Sequence, residues 1–308
     1  MIPRLDHREA MPEALRGAII ALGNFDGFHA GHQAVVKAAL EWAKAEGRPA
    51  IVATFDPHPV RYFAPGAPPF RLTSLDQRQD LFAAAGAQAM LVFHFDQALA
   101  GTSAELFVGE LLAQNLGAAG LVTGEDFTFG QGRTGNIGVL AQLAAQFGMT
   151  ARAVGPVADH GEVVSSSRIR DALKSGDCQG AAGLLTRPFA IRGIVQHGAK
   201  LGRTIGYPTA NLELGSYLRP RYGIYAVTAR LPDGRIVPGA ANLGIRPTFE
   251  PPVELLETYL FDFGDDLYEQ EIEVALHHHL RDEAKFVSLE ELTAQMARDC
   301  DQARGLLQ

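Results

Sequence analysis

The chain has 308 residues, about twice the usual length of one domain, so two domains are expected. Hydrophobic residues make up 47% and charged residues 20%, which describes an ordinary globular chain with an ample core. No apolar run approaches the roughly 20 residues that span a bilayer. A formal net charge of −8 without a long like-charge block argues against a nucleic-acid-binding surface.

Residues 1–15 mix acids and bases and lack the apolar stretch of a signal peptide. Cys178 and Cys300 are the two cysteines, far apart in sequence. They form no disulfide framework, so a reducing cytoplasm is expected. Residues 17–22, 50–55, 89–95 and 119–123 predict short buried strands. Between the first two, residues 32–46 place Val35, Val36, Ala39, Leu40 and Ala43 on one helical face, and Gly47 ends the helix. A second helix is expected to open at Thr102, where Glu105 completes a capping box, with Leu106, Val108, Leu111 and Leu112 on its apolar face. Apolar strands separated by helices predict a parallel sheet covered on both faces.

After Pro188 the pattern changes. Runs 222–230 and 235–241 flank the turn Pro232-Asp233-Gly234, and 257–263 and 271–279 read as two more strands. A closing helix is expected from Ser288, with Glu291 completing its capping box, to about Leu307. Strand after strand without helices predicts a small antiparallel barrel with one terminal helix. The fold expected is therefore α/β, with a parallel-sheet domain over 1–187 and a β-barrel domain over 188–308.

The most informative stretch is Gly23-Asn24-Phe25-Asp26-Gly27-Phe28-His29-Ala30-Gly31-His32, between the first strand and the first helix. Ligands of parallel sheets sit at the C-terminal strand ends. Glycines admit phosphates close to the backbone, and a helix N-terminus offers N–H groups and partial positive charge. Two histidines three apart can donate to phosphoryl oxygens as charge builds there. This string resembles the nucleotidyltransferase superfamily, whose signature is His-x-Gly-His after the first strand. The resemblance implies a Rossmann-like nucleotidyltransferase domain that attacks the α-phosphorus of a nucleoside triphosphate and releases pyrophosphate. It assigns catalysis to His29 and His32 and nucleotide contacts to Gly23, Asn24, Phe25, Asp26, Gly27 and Gly31. The run Ser165-Ser166-Ser167-Arg168-Ile169-Arg170 resembles the second signature of these enzymes, with Ser166 and Ser167 on the nucleotide and Arg170 against the leaving pyrophosphate.

Two further strings narrow the resemblance. Thr54-Phe55-Asp56-Pro57-His58-Pro59 and Gly124-Glu125-Asp126-Phe127-Thr128-Phe129-Gly130 are similar to internal motifs of the prokaryotic bifunctional riboflavin kinase and FAD synthetase family. The likeness runs over nearly the whole chain in the same order. It implies flavin contacts at Phe55, Pro57, His58, Pro59 and Phe127, and a nucleotide contact at Asp126, which on its residues alone serves equally to fix its loop. By themselves the prolines read as an ordinary turn after a strand. No Walker A string is present; Mg²⁺ is expected from triphosphate chemistry rather than from a visible ligand set.

In the second half, residues 197–206 interleave glycines with Lys200 and Arg203 and lead into Tyr207-Pro208-Thr209-Ala210-Asn211. Thr209 and Asn211, two apart, share one face of an extended segment. Their oxygens suit a hard Mg²⁺ ion bridging ATP phosphates. Gly206-Tyr207-Pro208-Thr209-Ala210-Asn211 resembles the riboflavin kinase signature, with Gly206 on the nucleotide. The same family carries a general-base glutamate on a later strand, matched here by Glu257. Glu254 competes and is expected in the preceding loop. Arg281 matches a position near flavin and nucleotide, against the alternative of a strand-end arginine in solvent. Residues 242–249 read as a strand end and turn with a supporting role.

The implied activity is phosphorylation of riboflavin to FMN and adenylylation of FMN to FAD, with Mg²⁺ as cofactor and ATP as co-substrate. The expected partners are ATP, riboflavin and FMN, with no nucleic acid and no membrane; a weak homo-oligomer is left open. Against the family pattern, Ser167 replaces a usual threonine, Thr128 an arginine, Leu201 a basic residue, and Thr186 and Glu269 glycines.

Overall fold

A computed structural model describes residues 1–197, 206–246 and 253–307. Two compact units emerge from the packing: Met1–Ala67 with Leu75–Val164, and Pro68–Ser74 with Ser165–Gln308. The expected division at 187/188 lies inside the second unit. Helices α5 (Ser166–Ser175) and α6 (Cys178–Leu185) precede it and belong to that unit. The cause is local: α6 buries Cys178, Ala181, Leu184 and Leu185 and packs on barrel strands.

In the first unit β1 (Arg4–Asp6), β2 (Ile19–Leu22), β3 (Ala50–Asp56), β4 (Ala89–His94), β5 (Gly120–Gly124) and β6 (Thr150–Val154) form a parallel sheet in the order β1-β4-β3-β2-β5-β6. Successive residues feed opposite faces: Ile20 and Leu22 enter one buried cluster, Ile19 and Ala21 the other. Both faces are covered, so the strands read as unbroken apolar runs. Strand β2 sits between β3 and β5. Strand order reverses there, which leaves a crevice beyond the C-terminal ends of these strands.

Helix α1 (Ala30–Glu46) starts two residues before the expected position and ends at Gly47, whose φ of 65° closes the helix in the left-handed region. Trp42 joins the expected apolar face. Thr102 is not the next cap: its hydroxyl donates to the Ala98 carbonyl, and the Ser103 side chain accepts the Leu106 N–H instead. The helix beyond it is a π-helix over Phe107–Asn115.

In the second unit β7 (Phe189–Ile194), β8 (Ala210–Glu213), β9 (Gly223–Arg230), β10 (Ile236–Arg246), β11 (Val253–Leu260) and β12 (Glu271–Arg281) form an antiparallel sheet in the order β8-β11-β10-β9-β12-β7. The Gln196 N–H donates to the Asn211 carbonyl at 2.9 Å, so the chain beyond β7 meets β8 and nearly closes the barrel. The Pro232-Asp233-Gly234 turn joins β9 and β10 as expected, with Gly234 at φ 89°. Strand β11 starts and ends earlier than expected. It pairs with β10 from Val253 onward and is stopped by Asp262 at φ 55°. Helix α7 (Leu289–Leu306) has its cap at Ser288 as expected, which accepts the Glu291 N–H, and it buries Ala303 against Ala226, Ala240 and Phe261.

Thr186 and Glu269, the two residues expected to stand in place of glycines, carry φ values of 63° and 62°. Such a backbone costs a side-chain-bearing residue about 1–2 kcal/mol, part of which glycine returns through its unfolded-state entropy. Thr186→Gly and Glu269→Gly are each expected to raise stability by about 0.5–1 kcal/mol, read as higher denaturation midpoints. Unchanged or lower midpoints would show that neither turn is strained.

Candidate functional site

The loop after β2 is shaped by three residues in left-handed backbone. Phe25, Gly27 and Phe28 have φ of 49°, 86° and 44°, and only the glycine adopts this region without cost. The two phenylalanines are held there by burial, each edge-on to Phe82. Burying each ring is worth about 1.5–3 kcal/mol, comparable to the ~1–3 kcal/mol of each strained backbone. The loop delivers His29 to the N-cap of α1. There its Nδ1 accepts the His32 N–H at 3.4 Å, which leaves Nε2 to carry the ring proton. The His29 and His32 rings stack at 3.6 Å. A Cβ on Gly31 would stand 3.2 Å from the His29 ring, so glycine here makes room for the imidazole.

A buried arginine absent from the expected site ties the strand ends together. Arg78 is 2% exposed; its Nη1 donates to Thr54 Oγ1 at 2.7 Å and to the Asn24 carbonyl at 3.2 Å. Asn24 Oδ1 is itself buried without a hydrogen-bond partner among the described residues. Across β2, the loop after β5 brings Asp126 over Gly124, with Oδ1 2.7 Å from where a Cβ would be. The structure therefore gathers three expected strings, 23–32, 54–59 and 124–130, at one edge of one sheet.

The expected flavin contacts divide. Phe55 is buried, stacked on Phe93 in the core. His58 caps the short helix α2 (Pro59–Phe63), its Nδ1 accepting the Val60 N–H, with Pro59 in the first turn. Phe127 is half-buried and stacks near Phe129. Beside them stands an aromatic group that pattern reading missed: Tyr62, Phe95 and the exposed Phe63, with ring centroids 5.1–5.8 Å apart. Its signal was the aromatic pair closely following Pro59.

In the second unit, Ser165 caps α5 by accepting the Arg168 N–H, and Ser166 and Ser167 occupy the first turn. Arg170 donates from Nε to the Phe70 carbonyl at 2.9 Å and lies over the Phe70 ring.

On the barrel, Asn211 pairs in register with Glu257, and Glu257 with Asn242. One face thus carries a row Asn211–Glu257–Asn242 across β8, β11 and β10. Thr209 Oγ1 donates to Asn211 Oδ1 at 3.4 Å, and Asn211 is 6% exposed. Two oxygens this close, beside a carboxylate, fit a hard divalent cation. Gly244, two residues beyond Asn242, leaves space filled by the Glu283 carboxylate. Gly206, exposed at φ 84°, is the last of the expected glycine string within the described residues. The part of this stretch that carries Lys200 and Arg203 lies outside the described residues.

Glu254 is on β11, not in a loop. It accepts from Arg219 Nε at 2.7 Å and from the Tyr222 hydroxyl. The Arg219 hydrogen bond holds its carboxyl below the usual glutamate range, while burial and this carboxylate push the Tyr222 phenol up to about 12. Arg281 is not a solvent arginine: its guanidinium is clamped by both oxygens of Asp299 on α7, at 2.7–3.1 Å, and Asp299 is 4% exposed.

A strained, helix-capping histidine loop on a parallel sheet, followed by a barrel with an acid–amide row, defines a two-domain transferase. The FAD synthetase family model matches residues 11–168, and the riboflavin kinase model residues 185–307. A bifunctional riboflavin kinase/FMN adenylyltransferase of Escherichia coli K12 is 38% identical over 92% of this chain and 90% of its own. A protein of that description from Pseudomonas fluorescens is 39% identical over 94% and 93%. A solved structure described as a macrolide-efflux protein from Streptococcus pneumoniae superposes with a TM-score of 0.87 at 29% identity, covering 98% of this chain and 99% of that one. The chain belongs to the bifunctional riboflavin kinase/FMN adenylyltransferase family. Among the described residues no helix is long and apolar enough to cross a membrane.

The Arg219–Glu254–Tyr222 group has a definite pH signature. Glu254 has a lowered folded pKa, so its contribution to stability is fully present above the ordinary value of 4.5. It is lost as pH falls through the folded value, because the unfolded chain then binds more protons. Thermal melts of wild type and Glu254→Gln from pH 7 to 3 are expected to converge in acid. A constant gap would remove the ion pair as its cause.

Proposed function

We propose that this chain transfers the γ-phosphoryl group of ATP to riboflavin at the barrel, giving FMN and ADP. At the parallel sheet it transfers the adenylyl group of ATP to FMN, giving FAD and pyrophosphate. The observation that carries the reading is the register row that sets Glu257 opposite Asn211, in a chain matched by both family models.

At the barrel, Glu257 accepts the proton of the primary alcohol of riboflavin as its oxygen attacks phosphorus. Glu254 is excluded from this role because Arg219 and Tyr222 occupy its carboxylate. Thr209 Oγ1 and Asn211 Oδ1 would hold Mg²⁺, which neutralises phosphate charge when bound. Gly206 belongs to the same nucleotide segment. Arg281, fixed by Asp299, serves as a support for the flavin side rather than as a mobile contact.

At the sheet edge, the Nε2–H of His29 donates to a phosphoryl oxygen as the α-phosphorus is attacked, and His32 acts beside it. Gly23 to Gly27 and Gly31 cradle the nucleotide, Asn24 Oδ1 takes a donor from it, and Asp126 contacts it from the neighbouring loop. Ser166, Ser167 and Arg170 keep the role their signature implies, with Arg170 on the pyrophosphate. The flat flavin stacks on the Phe63 group and Phe127, with Phe55 as the buried floor beneath and Pro57, His58 and Pro59 as the turn that presents Phe63.

By function the division falls at 187/188, close to residue 185 where the match to the riboflavin kinase model begins. The protein works in the cytoplasm on small molecules; this is supported by its two unpaired cysteines, Cys178 and Cys300.

With riboflavin and Mg-ATP, the purified protein is expected to form FMN and then FAD; formation of neither refutes the reading. Glu257→Gln is expected to lower FMN formation by about 100-fold or more while FAD still forms from supplied FMN. His29→Ala is expected to do the reverse, by about 100-fold to 1,000-fold. Loss of both reactions in either variant would show that one site serves both.

A further inference from the structure

Asn242 is the member of the barrel row that the proposed reaction leaves without a task. It stands in register with Glu257 on one side and Ile224 on the other. The side chain as a whole is half-buried, yet its Oδ1 is fully buried and has no hydrogen-bond partner among the described residues. A buried amide oxygen without a donor is disfavoured, and such groups in folded proteins mark sites completed by something else.

The two residues in register with it do not complete it: Glu257 as a carboxylate is an acceptor, and Ile224 is apolar. A donor carried by a ligand would complete it. The phosphates of ATP carry acceptors at neutral pH, whereas the ribityl chain of the acceptor substrate carries a hydroxyl donor on every carbon except the one bonded to the flavin ring. Residues opposite each other on antiparallel strands have Cβ atoms about 5 Å apart, a spacing that lets two side chains converge on adjacent carbons of one chain.

We propose that Asn242 is a substrate-recognition residue of the kinase site. Its Oδ1 accepts a hydrogen bond from the hydroxyl on the carbon next to the primary alcohol that Glu257 deprotonates. The proposal rests on the kinase reading of the row and adds to it a requirement: a vicinal diol at the end of the acceptor chain. An alcohol lacking the second hydroxyl leaves the buried oxygen unpaired and is discriminated against.

The test compares riboflavin with an analogue lacking only that adjacent hydroxyl, in wild type and Asn242→Ala, by kcat/KM for phosphorylation. With riboflavin, Asn242→Ala is expected to lose about 10-fold to 100-fold, the consequence of one buried hydrogen bond. With the analogue, wild type is expected to show a similar loss, and the substitution to add almost nothing to it. The melting temperature of the free protein is expected not to fall, since the removed oxygen had no partner. An equal loss on both substrates overturns the proposal, because Asn242 would then act by orienting Glu257 or by supporting the strand. No loss on riboflavin overturns it as well. Failure of the underlying reading looks different: Glu257→Gln would phosphorylate riboflavin at the wild-type rate.

Discussion

Antiparallel register sets Asn211, Glu257 and Asn242 opposite one another, and the barrel site depends on that pairing more than on any single contact. Side chains alternate faces along a strand, so a slip of one residue would turn Glu257 into the barrel and Leu256 out of it. The interior row beside them, Leu212, Leu256 and Leu243, is fully buried. Charge and hydrocarbon would exchange places, at a cost that no single hydrogen bond offsets. The bond from Gln196 to the Asn211 carbonyl pins the strand that carries the amide at the seam where the barrel nearly closes. Apolar packing on one face thus fixes polar geometry on the other.

The parallel-sheet unit reaches the same end by other means. Its loop is held in left-handed backbone at Phe25 and Phe28 because their rings are buried against Phe82. Arg78, inside the unit, bonds two strand ends through Thr54 and the Asn24 carbonyl. A loop fixed in this way presents its donors in place before a ligand arrives, which is the condition under which electrostatic stabilisation is largest. The His29 cap sets its own tautomer through the His32 N–H, so position and proton are settled together.

A chain of net charge −8 that handles triphosphates has to concentrate positive character locally. Several arginines of the second unit are bound to acids: Arg219 to Glu254, Arg281 to Asp299 and Arg304 to Asp262. They fasten strands and the terminal helix instead of facing a ligand. The proposed sites meet phosphates instead with His29, Arg170, helix N-termini, glycine backbone and an oxygen pair suited to a cation, devices that act at short range.

Contiguous features were legible in the residues alone. The histidine loop, the Thr209–Asn211 pair, the Pro232-Asp233-Gly234 turn and the Ser288 cap each act within a few residues, where spacing dictates geometry. The parallel and antiparallel classes followed from apolar periodicity for the same reason. Contacts between distant segments were not legible. That Phe55 is buried while Phe63 is exposed, that Arg281 is clamped by Asp299, that Glu254 lies on the strand and is occupied by Arg219, and that Arg78 supports the first loop are all outcomes of packing. Strand β11 was misplaced because its bounds are set by the ladder with β10, not by its own alternation. Sequence by itself determined which chemistries the chain carries, since those reside in short strings. The tertiary structure alone decided which carboxylate stands opposite Asn211, and left Asn242 Oδ1 buried without a donor among the described residues, because register and burial are properties of strands brought together from afar.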